Sequence, residues 1–267
     1  MANEVTSVER LHVVALSTGS GAPIVFLHGI GGTHRYWLTG VQPPVFPRHE
    51  TLLVDLLGFG DSPQPWCRYT VDRHLDALHA ALLGYREMTL VGHSMGAVLA
   101  LAYAARYPAN VKRLFLIAMP YFGNQAKAYA WFRRSPGGWL YTNMVTTAVA
   151  CMISRRVLGK LMPLLLPDIP RLIAQDLVKH NFMSSTTSMW EVLYRHDAAA
   201  DAHELTAGMP VCCVHGTRDA SAPLDGVRQL AASRKNWQVT LLDDVDHHPW
   251  LRRPEWCHEA LQAFIHD

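Results

Sequence analysis

Charge is scarce in this chain: only 17% of its 267 residues are Asp, Glu, Lys or Arg, and the formal net charge is +2. With no basic stripe, no RNA-binding signature and no zinc-finger spacing, nucleic acid is excluded as the partner. Cysteine is equally sparse. The five cysteines (Cys67, Cys151, Cys212, Cys213, Cys257) form no Cys-x-x-Cys pair and are odd in number. Cys212 and Cys213 sit in an apolar run, "VCCVHG", where small buried thiols are expected. A reduced, cytoplasmic protein is therefore expected. The N-terminus "MANEVTSVERLHVV" has early acidic residues and no long apolar segment, so no signal peptide is read there. The most apolar stretch, Trp139 to Ile153, is broken by Asn143 and threonines and is short for a membrane span, which argues against stable membrane anchoring. Repeats and low-complexity segments are missing too.

What remains is a globular composition, 49% hydrophobic, long enough for one large domain with an insertion. Seven short runs rich in β-branched and aliphatic residues predict strands at 11–17, 23–29, 51–56, 88–94, 111–119, 210–216 and 237–245. Several are continuously apolar, as in a parallel sheet covered on both faces. Between them lie helical patterns: 70–85, with Val71, Leu75, Leu78, Leu82 and Leu83 at helical spacing behind a Thr70 N-cap, and an alanine-rich helix at 96–108 stopped by Pro108. Alternating strands and helices predict an α/β fold with a mostly parallel central sheet flanked by helices. The alternation stops at 120–205, a stretch of helix-like pieces and prolines, and returns at Val211. The chain thus divides into a core of 1–119 and 206–267 and a helical insertion of 120–205.

"MTLVGHSMGAV" (88–98) sets Ser94 between two glycines, on the tight turn from a strand into a helix. Gly92 and Gly96 let strand and helix approach closely, and the hydroxyl stands at a helix N-terminus, where developing negative charge is favoured. This is the Gly-x-Ser-x-Gly elbow in its confirming context. A serine nucleophile needs a base, and the base an orienting acid, in chain order acid then histidine. Asp219 follows the strand at 211–215, and His247 and His248 lie in the loop after the last strand. "FLHGIGGTHRYW" (26–37) offers a glycine loop whose Ile30 N–H, with the N–H of Met95, forms a candidate oxyanion hole. The loop has neither Gly-x-Gly-x-x-Gly nor a Lys-Ser/Thr ending, so it is not read as a phosphate cradle. Neither a cofactor nor a metal is expected.

With "HGIGG" (28–32), "DLLGFGDSP" (55–63), "VGHSMGAV" (91–98), "VHGTRDASAP" (214–223) and "DHHPWLRRPE" (246–255) in this order, the sequence resembles the α/β-hydrolase superfamily. The resemblance is to lidded serine esterases, lipases and perhydrolase-like enzymes. It implies the catalytic triad Ser94, Asp219 and His247, the last preferred over His248 because the family's loop reads His-x-Pro. It also implies that the insertion is a lid. Two positions depart from the family: Asp246 stands where a glycine is usual, and Leu57 where proline is common. Asp246 reads as a solvated loop residue, and Asp55 and Asp61 as structural hydrogen-bonding groups.

The insertion supplies Tyr121, Phe122, Trp131, Phe132, Trp139, Tyr141, Met144, Met152, Met162, Phe182, Met183 and Trp190, aromatics and methionines suited to an adaptable apolar cavity; Trp131, Trp139 and Trp190 are the candidate pocket residues. Between Tyr121 and Trp190 stand eight Lys/Arg (Lys127, Arg133, Arg134, Arg155, Arg156, Lys160, Arg171, Lys179) against Asp168 and Asp176, read as a solvated helix face ahead of the alternative, a basic, apolar-backed lid that touches anionic lipid or attracts acidic substrates. The expected partner is a small-molecule ester with an apolar, short-to-medium acyl group. The same machinery also serves C–C bonds, thioesters or peroxide as acceptor, and the fold also serves as a small-ligand receptor. Oligomeric state is not legible.

Overall fold

The computed structural model describes residues 9–39, 46–153 and 169–266. Arg155, Arg156, Lys160, Met162 and Asp168 of the insertion lie outside these. All seven expected strands form: β1 (Val13–Thr18), β2 (Gly21–Leu27), β3 (His49–Val54), β4 (Met88–His93), β5 (Val111–Ile117), β6 (Val211–Gly216) and β7 (Trp237–Leu242). They make one sheet in the order β1-β3-β2-β4-β5-β6-β7. Only β1 runs antiparallel to its neighbour; every other pair is parallel.

The continuous apolar strands follow from burial on two faces. Val25, Leu27, Leu90, Leu114, Leu116 and Cys213 join one core cluster. Their alternates Ile24, Phe26, Val91, Phe115, Ile117 and Cys212 join the other. The two-residue period of a strand sorts neighbours to opposite faces, so both sets are apolar. The adjacent cysteines are therefore buried on opposite sides, both as free thiols.

Helices α1 (Val71–Ala81) and α2 (Met95–Arg106) cover the first face. Thr70 caps α1 by accepting from the Arg73 N–H at 3.3 Å. The helix ends sooner than its apolar spacing suggests because Gly84, at φ +97°, reverses the chain. Two strands also stop early: β5 ends before Ala118 (φ +49°) and β7 before Asp244 (φ +59°), left-handed positions that cannot continue a strand.

Between β5 and β6 the described residues are helical. They form α3 (Gln125–Phe132), a turn at Gly138–Thr142, α4 (Met144–Ile153), α5 (Arg171–Asp176) and α6 (Phe182–Ser188). A wide helical turn (Met189–Tyr194) and α7 (Ala198–Glu204) complete the segment. Beyond it, α8 (Leu224–Ala231) packs on the first face, and a short turn (Pro249–Arg252) leads into α9 (Pro254–His266) on the second.

Candidate active site

The site is built where β4 turns into α2. Ser94 has φ +52° and ψ −117°, a conformation a non-glycine residue holds only under strain of about 1–3 kcal/mol. The surroundings impose it. The Ser94 N–H is tied to the Ile117 carbonyl at 2.9 Å, and α2 is pressed onto the strands. A Cβ on Gly96 would stand 2.1 Å from the Leu27 oxygen, and one on Gly92 would stand 2.4 Å from the Gly96 oxygen. The flanking glycines are thus backbone-to-backbone contacts between helix and sheet.

Ser94 Oγ lies 2.9 Å from His247 Nε2, and His247 Nδ1 lies 2.8 Å from Asp219 Oδ2. With Asp219 ionised, the Nδ1–H donates to the carboxylate, leaving Nε2 bare to accept from the Ser94 hydroxyl. Burial opposes the Asp219 charge. The hydrogen bond and charge of His247, the Ala222 N–H and nearby His215 outweigh it, and the carboxyl sits below its ordinary value. Its other oxygen accepts the N–H groups of Ser221 (2.8 Å) and Ala222 (2.9 Å), an Asx turn that fixes the carboxylate at the end of β6.

The loop after β2 passes directly under the elbow: a Cβ on Gly29 would stand 2.9 Å from His93 Nδ1 and 3.1 Å from Ser94 Cβ. Its shape is locked by His28, whose Nδ1–H donates to the Gly29 carbonyl (2.7 Å) and whose Nε2 accepts the Leu56 N–H (3.0 Å). Burial holds His28 below its ordinary pKa, so it stays neutral for both bonds. Ile30 lines the cavity above Ser94. Met95 is the first residue of α2, where a backbone N–H has no intrahelical acceptor. These are the two N–H groups the sequence nominates for the oxyanion.

Two residues emerge that the sequence did not single out. His93 is buried, stacks on Tyr36 with centroids 4.6 Å apart, and donates from Nε2 to the His247 carbonyl at 2.8 Å. Burial, with His247 and His248 nearby, pushes its pKa well down and keeps it neutral. His215 places Nε2 3.4 Å from Asp219 Oδ2. His93 occupies the variable position of the Gly-x-Ser-x-Gly pattern, which carries no expectation of its own. His248 bonds through its backbone N–H to Asp246 Oδ1 at 2.9 Å, and Asp246 grips Arg252 Nε at 3.0 Å and its NH2 group at 2.6 Å. Asp246 is thus a loop clasp, and with its side chain 40% exposed it is also the solvated loop residue expected.

Asp55 is fully buried and accepts N–H groups from His34 (2.6 Å) and Asp61 (3.0 Å), with the Nδ1 atoms of His12 and His34 at about 3.0 Å. Ligand-capable atoms of His12, His34, Asp55 and Asp61 all lie within 4.8 Å of one another, a set that suits a divalent metal in kind. The carboxylate is already saturated by these donors, so the knot holds as a hydrogen-bond network tying the loop after β3 to the glycine loop. Burial opposes the Asp55 charge, yet the His34 bond and these N–H groups hold its pKa well down.

Above Ser94 and His247 opens a cavity of about 370 Å³, walled by Ile30, Phe122, Phe132, Tyr141, Met189 and Leu193 among others. Met189 and Leu193 reach it from the wide turn, in which the Arg195 N–H bonds to the Trp190 carbonyl at 3.0 Å. The three tryptophans expected there are not among its walls. Trp190 is buried with Phe122 and Tyr194 and donates to Tyr129 Oη at 3.0 Å. Trp131 donates to the Ala220 carbonyl at 3.0 Å, under Arg134. Trp139 is 57% exposed. In two of the three, the indole N–H has taken a fixed partner outside the cavity, and phenyl rings and aliphatic chains wall it instead.

A family profile for the alpha/beta hydrolase fold matches residues 22–254. An uncharacterised protein of Mycobacterium bovis is 24% identical over 260 residues, covering 92% of this chain and 76% of that protein. The probable lysophospholipase BODYGUARD 1 of Arabidopsis thaliana is 25% identical over 254 residues, covering 84% of this chain. This chain matches only 54% of the plant protein's length. Among solved structures, a thermophilic esterase from Thermogutta terrifontis superposes with TM-score 0.75 at 20% identity, over 96% of this chain and 93% of that one. At that identity the likeness is one of fold.

Proposed function

This chain belongs to the α/β-hydrolase family, and on that premise we propose that it is a serine hydrolase cleaving carboxylic esters with an apolar, short-to-medium acyl group. The observation that carries the reading is the unbroken relay Ser94–His247–Asp219, at 2.9 and 2.8 Å, opening into an apolar cavity. The Ser94 oxygen attacks the ester carbonyl while its proton passes to His247 Nε2, and Asp219 stabilises the imidazolium that results. Ile30 and Met95 N–H groups bind the oxyanion, aided by the N-terminus of α2. His247 then returns the proton to the leaving alcohol. Water, deprotonated by the same imidazole, releases the acid from the acyl-enzyme. The segment between β5 and β6 acts as the lid over this cavity. Relatives named as an esterase and a probable lysophospholipase fit ester chemistry.

The test is a panel of p-nitrophenyl esters of increasing acyl length, run on the wild type and Ser94→Ala. Each buried methylene contributes up to about 0.8 kcal/mol, so kcat/KM should rise up to about fourfold per carbon, peak at about C4 to C8, and fall once the cavity is full. Ser94→Ala should lose on the order of 10⁴ in rate, His247→Ala about as much, and His248→Ala far less. Full turnover in Ser94→Ala, or acetyl esters preferred over all others, would refute the assignment.

A further inference from the structure

Helix α4 (Met144–Ile153) is built inside out. Its residues Met144, Val145, Val149, Met152 and Ile153 are exposed, Val145 by 70%. At 100° per residue all five fall on one half of the helix. The opposite side holds Thr147, fully buried with its Oγ donating to the Leu140 carbonyl at 2.6 Å, and Cys151, whose Sγ lies 3.4 Å from Ser185 Oγ. That side packs on α6, whose Ser184 to Ser188 are all buried. A surface helix ordinarily does the reverse, burying its apolar stripe and giving its polar side to water. Trp139 and Tyr141, just before α4, are also exposed and extend the apolar surface.

Two features say what this face meets. The first is charge: from Met88 to Pro167 the sequence has no Asp or Glu, and α4 itself has no charge of either sign. Arg133 and Arg134 are exposed at the end of α3, which packs on the turn carrying Trp139 and Tyr141. The second is continuity with the site: Phe132 and Tyr141, rings 5.7 Å apart, both wall the cavity above Ser94, and Tyr141 is 42% exposed. We propose that the face formed by α4 and the Trp139–Tyr141 turn docks on an anionic lipid surface, lying flat with its apolar residues among the acyl chains and Arg133 and Arg134 among the headgroups. A second copy of the chain fits less well, because the face it would present is the same one, and the stretch from Met88 to Pro167 offers no carboxylate to meet these arginines. Ten residues span about 15 Å, half a bilayer core, so the helix lies in the interface and does not cross. The docking stands on its own. Its consequence, that the acyl chain enters the cavity from the lipid phase past Tyr141, rests on the esterase reading.

The experiment uses the full chain as Ser94→Ala, so that no turnover alters the lipid. It measures co-sedimentation with vesicles of phosphatidylcholine alone and of phosphatidylcholine mixed with phosphatidylglycerol. Binding to the mixed vesicles should exceed binding to the neutral ones severalfold, and Val145→Glu/Val149→Glu should weaken it roughly tenfold or more. The same double substitution in the Ser94 protein should hydrolyse a soluble short ester at the unaltered rate, which shows that it folds. No sedimentation with either vesicle, equal binding to both, or equal binding by the double variant would overturn the proposal. So would a dimer that the double variant dissolves while vesicles bind nothing. Vesicle binding without turnover of any ester would instead sink the esterase reading and leave the docking intact.

Discussion

At the scale of single residues, His93 takes no step in the proposed mechanism and yet touches the residue proposed as its base. His93 holds the carbonyl of His247, so His247 is fixed from three directions: by Asp219 through its ring, by His93 through its backbone, and by the Asp246–Arg252 clasp through the next residue. His93→Phe keeps a ring against Tyr36 but leaves a carbonyl without its donor. That should lower stability by about 1–2 kcal/mol. It should also reduce kcat by about tenfold with KM little changed, because the imidazole is mispositioned while the cavity walls stay put. Steady-state kinetics on a soluble ester separate the two parameters; an unchanged kcat would assign His93 to packing alone.

At the scale of elements, the decisive contact is α2 against the ends of β2 and β4. Two glycines that look alike in the sequence play different parts. A Cβ at Gly96 would lie 2.1 Å from a backbone oxygen, whereas a Cβ at Gly84 meets nothing within 4 Å and only the φ of +97° resists it. Gly84→Ala should therefore lose about 1–2 kcal/mol from backbone strain and keep its activity. Gly96→Ala must drive the helix off the sheet, displacing both Ser94 and the Met95 N–H. It should lose about 3 kcal/mol or more and nearly all turnover. Chemical denaturation of the two variants beside the wild type makes the comparison, and equal losses would show that close approach does not set the elbow.

For the whole molecule, the notable stock is buried neutral histidine. Burial depresses the pKa of His28 and His93, brings His248 to about 4 and brings His74 to about 3. The unfolded chain protonates these rings near their ordinary value of about 6.5, which the folded chain resists. As pH falls below that value the unfolded state therefore binds more protons, and stability drops. The loss should run from about pH 6.5 down to about 4 and below. Asp55 and Asp219, whose folded values are depressed, add stability that is present above about pH 3.9 and disappears on further acidification. Tm recorded across this range should decline continuously with acid. A flat Tm between about pH 6.5 and 5 would show that these rings are protonated in the folded protein.

The sequence by itself determined the sheet and the chain order of the site. Period-two apolar runs can be read without partners, and Gly-x-Ser-x-Gly states a backbone conformation that only a strand-to-helix turn supplies. Ser94, Asp219 and His247 were legible for that reason, since each sits just past a strand end that the pattern locates. Tertiary structure alone decided what depends on direction. Trp131, Trp139 and Trp190 are as aromatic as Phe132 and Tyr141, but tertiary contacts decide which face the cavity: the indole N–H groups of Trp131 and Trp190 hold acceptors outside it, and Trp139 is turned to solvent. His93 and the knot around Asp55 were invisible as assemblies because, Asp61 apart, their hydrogen-bond partners lie 21 to 154 residues away. The inverted face of α4 was hidden for the same reason. An apolar run says how much surface resists water, and only the packing of α6 against Thr147 and Cys151 says which side is left outside.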